Sequence, residues 1–148
     1  MSAPSFSPPS FSPPSSSRTT LSRRPRHPDG GTVSERVLGE CLRGVPRDKF
    51  VLMTKAGRYA SKDGGPSKSD FSEGTIRASI DDSLDRLGVE YVDVMNLHDV
   101  EFAGSLDQVI NEALPALMEA KAAGKVRHIG ITGLPLGVLD YCVERSGE

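Results

Sequence analysis

Three short apolar segments separated by helical patterns constrain the fold of this chain more than any other feature of its sequence. The segments occupy residues 50–53, 91–97 and 126–132. We expect each to be a strand, and the strands to end at Lys55, His98 and Thr132, which lie 43 and 34 residues apart. These spacings are the length of a strand–helix–strand unit. Such alternation predicts an α/β fold with parallel strands joined by right-handed crossovers.

Four helices are predicted around these strands. They begin near Thr32, at Asp70 or Ser72, at Leu106 and at Leu136, and they end near Gly44, Gly88, Gly124 and Arg145. The residues from Ala56 to about Ser69 read as a long polar loop. Pro115 lies inside the third helical stretch. Because proline is well tolerated in the first turn of a helix, we expect a short helix before it and a new one from Pro115 to Ala123.

The polar residues at the strand ends define a candidate site. A flavodoxin-like sheet and a piece of a (β/α)8 barrel both fit the order of elements, and both folds bind ligands at the carboxyl ends of their strands. Lys55, His98 with Asp99, and Thr132 all lie at these ends. No glycine-rich dinucleotide loop or P-loop is present. The three histidines are too scattered for a metal motif, so we expect no metal site.

Residues 1–28 form a Ser/Pro/Arg-rich tail that differs in composition from the rest of the chain. They contain nine Ser, seven Pro and four Arg but no acidic residue. Such a composition predicts disorder and leaves residues 29–148 as the folded domain. It also resembles an organelle transit peptide, so a plastid location is the alternative to the cytoplasm. The two cysteines lie 101 residues apart, which favours reduced thiols in an intracellular protein.

Charge and hydropathy argue against a nucleic-acid partner and against a membrane-spanning helix. The chain has a formal charge of −2, and the basic tail leaves the folded domain at −6. We therefore expect no nucleic-acid partner. No run of about 18 apolar residues is present, so we expect no membrane-spanning helix.

Three motifs carry a resemblance to a known family. They are Val-Leu-Met-Thr-Lys at residues 51–55, Leu-x-Arg-Leu-Gly-x-x-Tyr-Val-Asp-x-x-x-Leu-His at 84–98, and Gly-Lys-Val-Arg-x-Ile-Gly-Ile at 124–131. Together they resemble the aldo-keto reductase family from about Gly30 to the C-terminus. The resemblance implies a (β/α)8 TIM barrel, of which the three strands would be the third to the fifth. It also implies an NAD(P)-dependent oxidoreductase, with NAD or alternatively NADP as cofactor and a small-molecule sugar or carbonyl compound as substrate.

The resemblance also implies roles for individual residues. In the family a Tyr transfers the proton, a Lys lowers the pKa of that Tyr, an Asp holds the Lys, and a His orients the substrate oxygen. Lys55 matches the Lys and His98 matches the His. Thr132 and Gly133 would contact the cofactor.

Two members of the family's catalytic set have no match. By register, Asp29 stands at the Tyr position and Arg24 at the Asp position. A carboxylate is already charged at pH 7, and an arginine would repel Lys55. A complete barrel takes about 250 residues. The alternative is therefore a truncated, non-catalytic fragment or an interaction segment, whose open sheet edges would allow self-association.

Overall fold

The structure is a computed structural model that describes residues 30–61 and 65–147. The helices are α1 (Gly30–Leu42), α2 (Glu73–Leu87), α3 (Leu106–Gln108), α4 (Leu114–Ala122) and α5 (Leu136–Ser146). The strands are β1 (Met53–Ala56), β2 (Arg58–Tyr59), β3 (Lys68–Ser69), β4 (Val92–Leu97) and β5 (Val126–Ile131). The predicted tail, residues 1–28, lies outside the described residues, so its disorder and its boundary with the domain stay predictions.

A parallel sheet of three strands forms the centre of the molecule. Its order is β1-β4-β5, and both pairings are parallel. Ala56 stands beside Leu97, and Leu97 stands beside Ile131, so the carboxyl ends of the strands coincide. This confirms the α/β fold with parallel strands.

Helices α2 and α4 cover one face of this sheet. The apolar stripe of α2 is buried, and it includes Ile76, Ile80, Leu84 and Leu87. It packs in one core with Met95 and Leu97 of β4 and with Leu117 of α4. Full burial of each such side chain stabilises the fold by roughly 1.5–3 kcal/mol. Helix α2 ends as predicted at Gly88, whose φ of 67° closes the helix in the left-handed region.

The other face of the sheet is largely uncovered by the described residues. Met53 and Lys55 of β1 and His128 of β5 are exposed there. Within residues 30–61 and 65–147 the three strands do not close into a barrel. None of the helices in this part of the chain is long and apolar enough to cross a bilayer.

The first strand was placed incorrectly by the sequence pattern. The apolar run at residues 50–53 predicted a buried strand, but β1 begins only at Met53. Val51 is 79% exposed and Met53 is 55% exposed, whereas Leu52 between them is buried. Side chains alternate between the two faces of a strand, so an apolar run gains burial only where both faces are covered.

The segment after β1 is not the long loop that was predicted. Arg58 and Tyr59 pair in antiparallel fashion with Ser69 and Lys68 to form a short ribbon. Gly57 begins this turn with a φ of 100°, and a Cβ there would collide with the ring of Phe71. The ribbon turns the chain so that Arg58 lies close to the end of β4, where it pairs with Asp99.

The predicted break at Pro115 is also wrong. Residues 106–122 are helical throughout, and the turn before the proline, Val109–Ala113, is a π-helix. In this wide turn the N–H of Leu114 donates to the carbonyl of Val109. Proline lacks an N–H and crowds the preceding turn, and the wider turn accommodates it without ending the helix.

At the amino end of the sheet a buried carboxylate joins the loop before β1 to β4 and β5. Asp93 Oδ2 accepts hydrogen bonds from the Leu52 N–H at 2.8 Å and from Arg47 Nη2 at 2.6 Å. Arg127 Nη1 donates to Oδ1 at 3.1 Å. The guanidinium groups of Arg47 and Arg127 lie 4.0 and 4.1 Å from the centre of the Tyr91 ring. Burial raises the pKa of Asp93, but the Leu52 N–H and the two arginines outweigh it, so that this pKa lies below 3.8.

We predict that Asp93→Asn lowers the free energy of unfolding by about 3 kcal/mol at pH 7, because it leaves the partly buried Arg47 without its counter-charge. Chemical denaturation at pH 7 measures this loss. The stabilisation by Asp93 is present above pH 3.8 and is lost as pH falls through its lowered folded-state pKa, so the variant should show a weaker acid dependence.

Asp48→Asn is the matched control, because the Asp48 side chain is 72% exposed and that of Asp93 only 10%. Its effect should stay within about 0.5 kcal/mol. Equal losses for the two variants would contradict the assigned role of Asp93.

Candidate active site

The structure brings the ends of the three parallel strands to one edge of the sheet. The His98 N–H donates to the carbonyl of Ala56 at 2.7 Å, and the Thr132 N–H donates to the carbonyl of Leu97 at 2.8 Å. These bonds continue the ladder beyond the last strand residues. Lys55, His98 and Thr132, predicted from the sequence, therefore lie at the same end of neighbouring strands.

Lys55 lies on the uncovered face of the sheet. It stands beside Asn96, which stands beside Gly130. A Cβ at Gly130 would collide with the side-chain oxygen of Asn96, so the glycine leaves room for the amide across the sheet. Lys55 is exposed, and its ammonium forms no hydrogen bond or ion pair with another residue of the described ranges. A free cation at this edge can stabilise a neighbouring oxygen anion.

His98 is neutral at pH 7. Its pKa is lowered from 6.5 because burial disfavours the imidazolium and because the cations of Lys55 and Arg58 lie nearby; these effects outweigh the carboxylates of Asp99 and Glu101. A neutral imidazole carries one N–H donor and one acceptor nitrogen. It can therefore donate a hydrogen bond to a carbonyl or alkoxide oxygen without adding a net charge.

Asp99 connects the three strand ends. Its N–H donates to Thr132 Oγ1 at 3.0 Å, and its Oδ2 accepts from Arg58 Nη1 at 2.6 Å. Burial raises the pKa of Asp99, but Arg58, His98 and Thr132 outweigh it, so that this pKa lies below 3.8. The sequence showed Asp99 at a strand end, but it gave no sign of the contact with Arg58. The ring of Phe102, whose centre lies 4.3 Å from the guanidinium carbon of Arg58, was likewise not predicted.

Thr132 and Gly133 make contacts within the protein. The Thr132 hydroxyl accepts from Asp99 and lies 3.4 Å from both the Leu97 carbonyl and Asp99 Oδ1. A Cβ at Gly133 would meet Glu101 Oε2 at 2.6 Å, and Glu101 Oε1 accepts from the Leu134 N–H at 3.0 Å. The prediction that Thr132 and Gly133 contact a cofactor stays a prediction.

Tyr59 lies in the same region and does not replace the proton-transfer tyrosine of the sequence argument. Its hydroxyl oxygen accepts from the Gly57 N–H at 3.0 Å. Burial is the main cause of a pKa raised above 10, so the phenol stays protonated. Asp29 and Arg24, which the resemblance places at the Tyr and Asp positions, lie outside the described residues.

An open groove connects these side chains. Its volume is about 890 Å³, and its lining includes Lys55, Arg58, Tyr59, His98 and Asp99. Such a volume is typical of sites for small molecules. A larger groove of about 1210 Å³ lies between α1 and the turn after α2, and none of these five residues lines it. In the described part of the chain, no three His, Cys, Asp or Glu side chains are arranged to hold a metal ion.

Comparison with known proteins places this site in a family. The sequence model of the Aldo/keto reductase family matches residues 30–148. The chain is similar to L-galactose dehydrogenase of Arabidopsis thaliana, with 50% identity over 118 residues, 78% of this chain and 35% of that protein. It is 36% identical over 132 residues to D-threo-aldose 1-dehydrogenase of a Pseudomonas species, which covers 77% of this chain and 40% of that one.

Solved structures share the fold. An aldo-keto reductase from Bacillus halodurans in its holo form superposes with a TM-score of 0.69 at 30% identity, over 78% of this chain and 37% of that one. The glycerol dehydrogenase of Gluconobacter oxydans superposes with a TM-score of 0.63 at 26% identity, over 77% of this chain and 34% of the other. The chain thus spans 35% to 40% of the length of these two curated relatives. With its parallel sheet, its strand-end lysine and histidine, and a match from residue 30 onward, the chain belongs to the aldo/keto reductase family.

Proposed function

We propose that this chain takes part in NAD-linked dehydrogenation of a sugar, of the L-galactose dehydrogenase type. The observation that carries the proposal is the placement of Lys55 and neutral His98 at adjacent strand ends, lining one groove. The 50% identity to the Arabidopsis enzyme favours L-galactose as the substrate. The expected product is L-galactono-1,4-lactone, which would place the reaction in ascorbate biosynthesis.

The two side chains suit the oxygen at which charge develops. Oxidation of the sugar removes a hydride from C1 and a proton from its hydroxyl. The imidazole N–H of His98 holds that oxygen in place by a hydrogen bond, and the ammonium of Lys55 stabilises negative charge on it or on a nearby base. Both effects are strongest when the oxygen is anionic, so they lower the energy of the transition state more than that of the bound substrate.

The described residues provide only part of a cofactor site. NAD, or alternatively NADP, would accept the hydride. The donors of Lys55 and His98 fit the substrate oxygen, but the Thr132 hydroxyl is already engaged by Asp99. These ranges therefore supply only part of a dinucleotide site, and no step is assigned through the cofactor. Proton transfer is not assigned to Tyr59 either, because burial raises the pKa of its phenol above 10.

The residues at positions 24 and 29 favour a second candidate, a non-catalytic member of the family. By register, Asp29 and Arg24 stand where the family has its Tyr and Asp, and neither can take over that chemistry. In this case the uncovered sheet face and free strand edges would serve association with another chain. Assay of the purified chain with L-galactose and NAD separates the two candidates, because turnover above background excludes the second.

A chimera tests the roles of Lys55 and His98 separately from those of residues 24 and 29. Residues 30–148 would replace the matching segment of the Arabidopsis L-galactose dehydrogenase. We predict NAD-dependent oxidation of L-galactose by this chimera, and a loss of roughly 10²–10⁴-fold in kcat for Lys55→Met and for His98→Ala. Absorbance of the reduced nicotinamide measures turnover, and circular dichroism checks the fold.

Lys49→Met is the matched control for Lys55→Met. Lys49 is exposed and forms an ion pair with Asp48 in the turn before β1, away from the strand ends. Its substitution should leave turnover unchanged. A chimera whose activity is indifferent to Lys55→Met and His98→Ala would overturn the assignment of these two residues.

The chain itself offers a test of the charge interaction at the site. We predict that Lys55→Met raises the pKa of His98, because it removes a cation that disfavours the imidazolium. In the wild type the pKa of His98 should lie below 6.5. Protonation of His98 then opposes folding, so the free energy of unfolding should fall as the pH drops below 6.5.

An NMR titration of the histidine ring protons measures both values. Lys49→Met is again the control and should leave the pKa of His98 in place. A pKa at or above 6.5 in the wild type would refute the neutral imidazole on which the proposed hydrogen bond depends.

A further inference from the structure

The backbone at Asp99 is held in an uncommon conformation. Among the non-glycine residues of 30–61 and 65–147, Asp99 is the one with a positive φ, which is 52°. The left-handed region costs an L-residue roughly 1–2 kcal/mol, although Asp and Asn tolerate it better than most. Two contacts of this residue hold it there: the N–H of Asp99 donates to Thr132 Oγ1, and its carbonyl accepts from the Phe102 N–H at 3.0 Å.

This conformation places the carboxylate of Asp99 between a guanidinium and an imidazole. Asp99 Oδ2 lies 2.6 Å from Arg58 Nη1 and 3.5 Å from His98 Nε2. The same oxygen thus faces both groups. Arg58 is fixed in turn by the ring of Phe102, which lies 4.3 Å from its guanidinium carbon. A planar guanidinium stacks on an aromatic ring in a way that a lysine cannot.

We propose that Arg58 and Asp99 are positioning residues for His98. The Asp99 carboxylate favours the ring orientation and the tautomer that carry the proton on Nε2. Because Arg58 holds the same oxygen and Nε2 lies 3.5 Å from it, this N–H is not taken in a hydrogen bond to Asp99 and stays available to a substrate oxygen. The imidazole thereby stays oriented but uncharged. The catalytic meaning of this arrangement rests on the proposed function, but the positioning is a property of the chain alone.

The charged groups that face His98 determine whether a substitution raises or lowers its pKa. They are Lys55 at the end of β1, Arg58 in β2, and Asp99 and Glu101 after β4. Asp99→Asn removes the nearest anion, so the pKa of His98 should fall by roughly 0.5 to 1 unit. Arg58→Gln removes a cation and releases the Asp99 carboxylate, so the pKa should rise by a similar amount.

These opposite changes in the pKa of His98 distinguish positioning by Asp99 and Arg58 from a merely structural role of the two residues. A loosened loop would expose His98 to water in both variants and move both pKa values up toward 6.5. Only a direct interaction with the carboxylate makes the Asp99→Asn value fall below that of the wild type.

The experiment is an NMR titration of the full chain, with the His98 signals assigned through His98→Gln and the tautomer read from the ring nitrogen shifts. Asp99→Gly serves beside Asp99→Asn, because glycine suits a φ of 52° and also lacks the carboxylate. We expect a lower pKa of His98 in both Asp99 variants, a higher one in Arg58→Gln, and a larger fraction of the other tautomer without Asp99.

Arg77→Gln is the matched control, since Arg77 lies on α2 in exposed ion pairs with Glu73 and Glu119. It should leave the pKa and the tautomer of His98 unchanged. Unchanged titration in the Asp99 and Arg58 variants, or a rise in all of them, overturns the proposal.

The outcome is independent of turnover. If these shifts occur while the chimera of the preceding section fails to oxidise L-galactose, the positioning stands and the proposed function falls. If the chimera is active and the shifts are absent, the proposed function stands and Arg58 and Asp99 lose their assigned role.

Discussion

The register of the parallel ladder is the constraint on which the rest of the structure depends. Because Ala56, Leu97 and Ile131 stand side by side, the next residues of each chain segment emerge at the same edge. A shift of one residue in β4 would move His98 to the other face of the sheet and would bury the side chain of Asn96 against α2. Packing supports this register, since Met95 and Leu97 of β4 lie in one core cluster with the apolar face of α2.

The sequence predicted the elements whose burial follows one period. Helix α2 and strands β4 and β5 were found where the apolar spacing placed them, because each has one covered face and a clear stop residue. The parallel order and the common edge of Lys55, His98 and Thr132 followed from these elements. The family followed from the resemblance of the three motifs at residues 51–55, 84–98 and 124–131. Strand β1 was misplaced because Val51 and Met53 are apolar on a face that the described residues leave open.

The contacts within the site could not be predicted in the same way. The ion pair of Arg58 with Asp99 joins residues 41 positions apart, and it exists only because Gly57 redirects the chain and Asp99 adopts a positive φ. Neither feature has a periodic signature. The π-helical turn before Pro115 is a similar case, since the proline alone indicated a break and the apolar spacing does not mark a widened turn.

The central position of β4 has a consequence for motion. Its backbone groups are bonded to β1 on one side and to β5 on the other, whereas β1 and β5 each have one partner among the described strands. Amide protons of β4 should therefore exchange with solvent most slowly, through opening of the whole sheet, and those of β1 through local fraying. His98 thus directly follows the strand that we expect to open least often, whereas Lys55 lies in a strand that opens more readily.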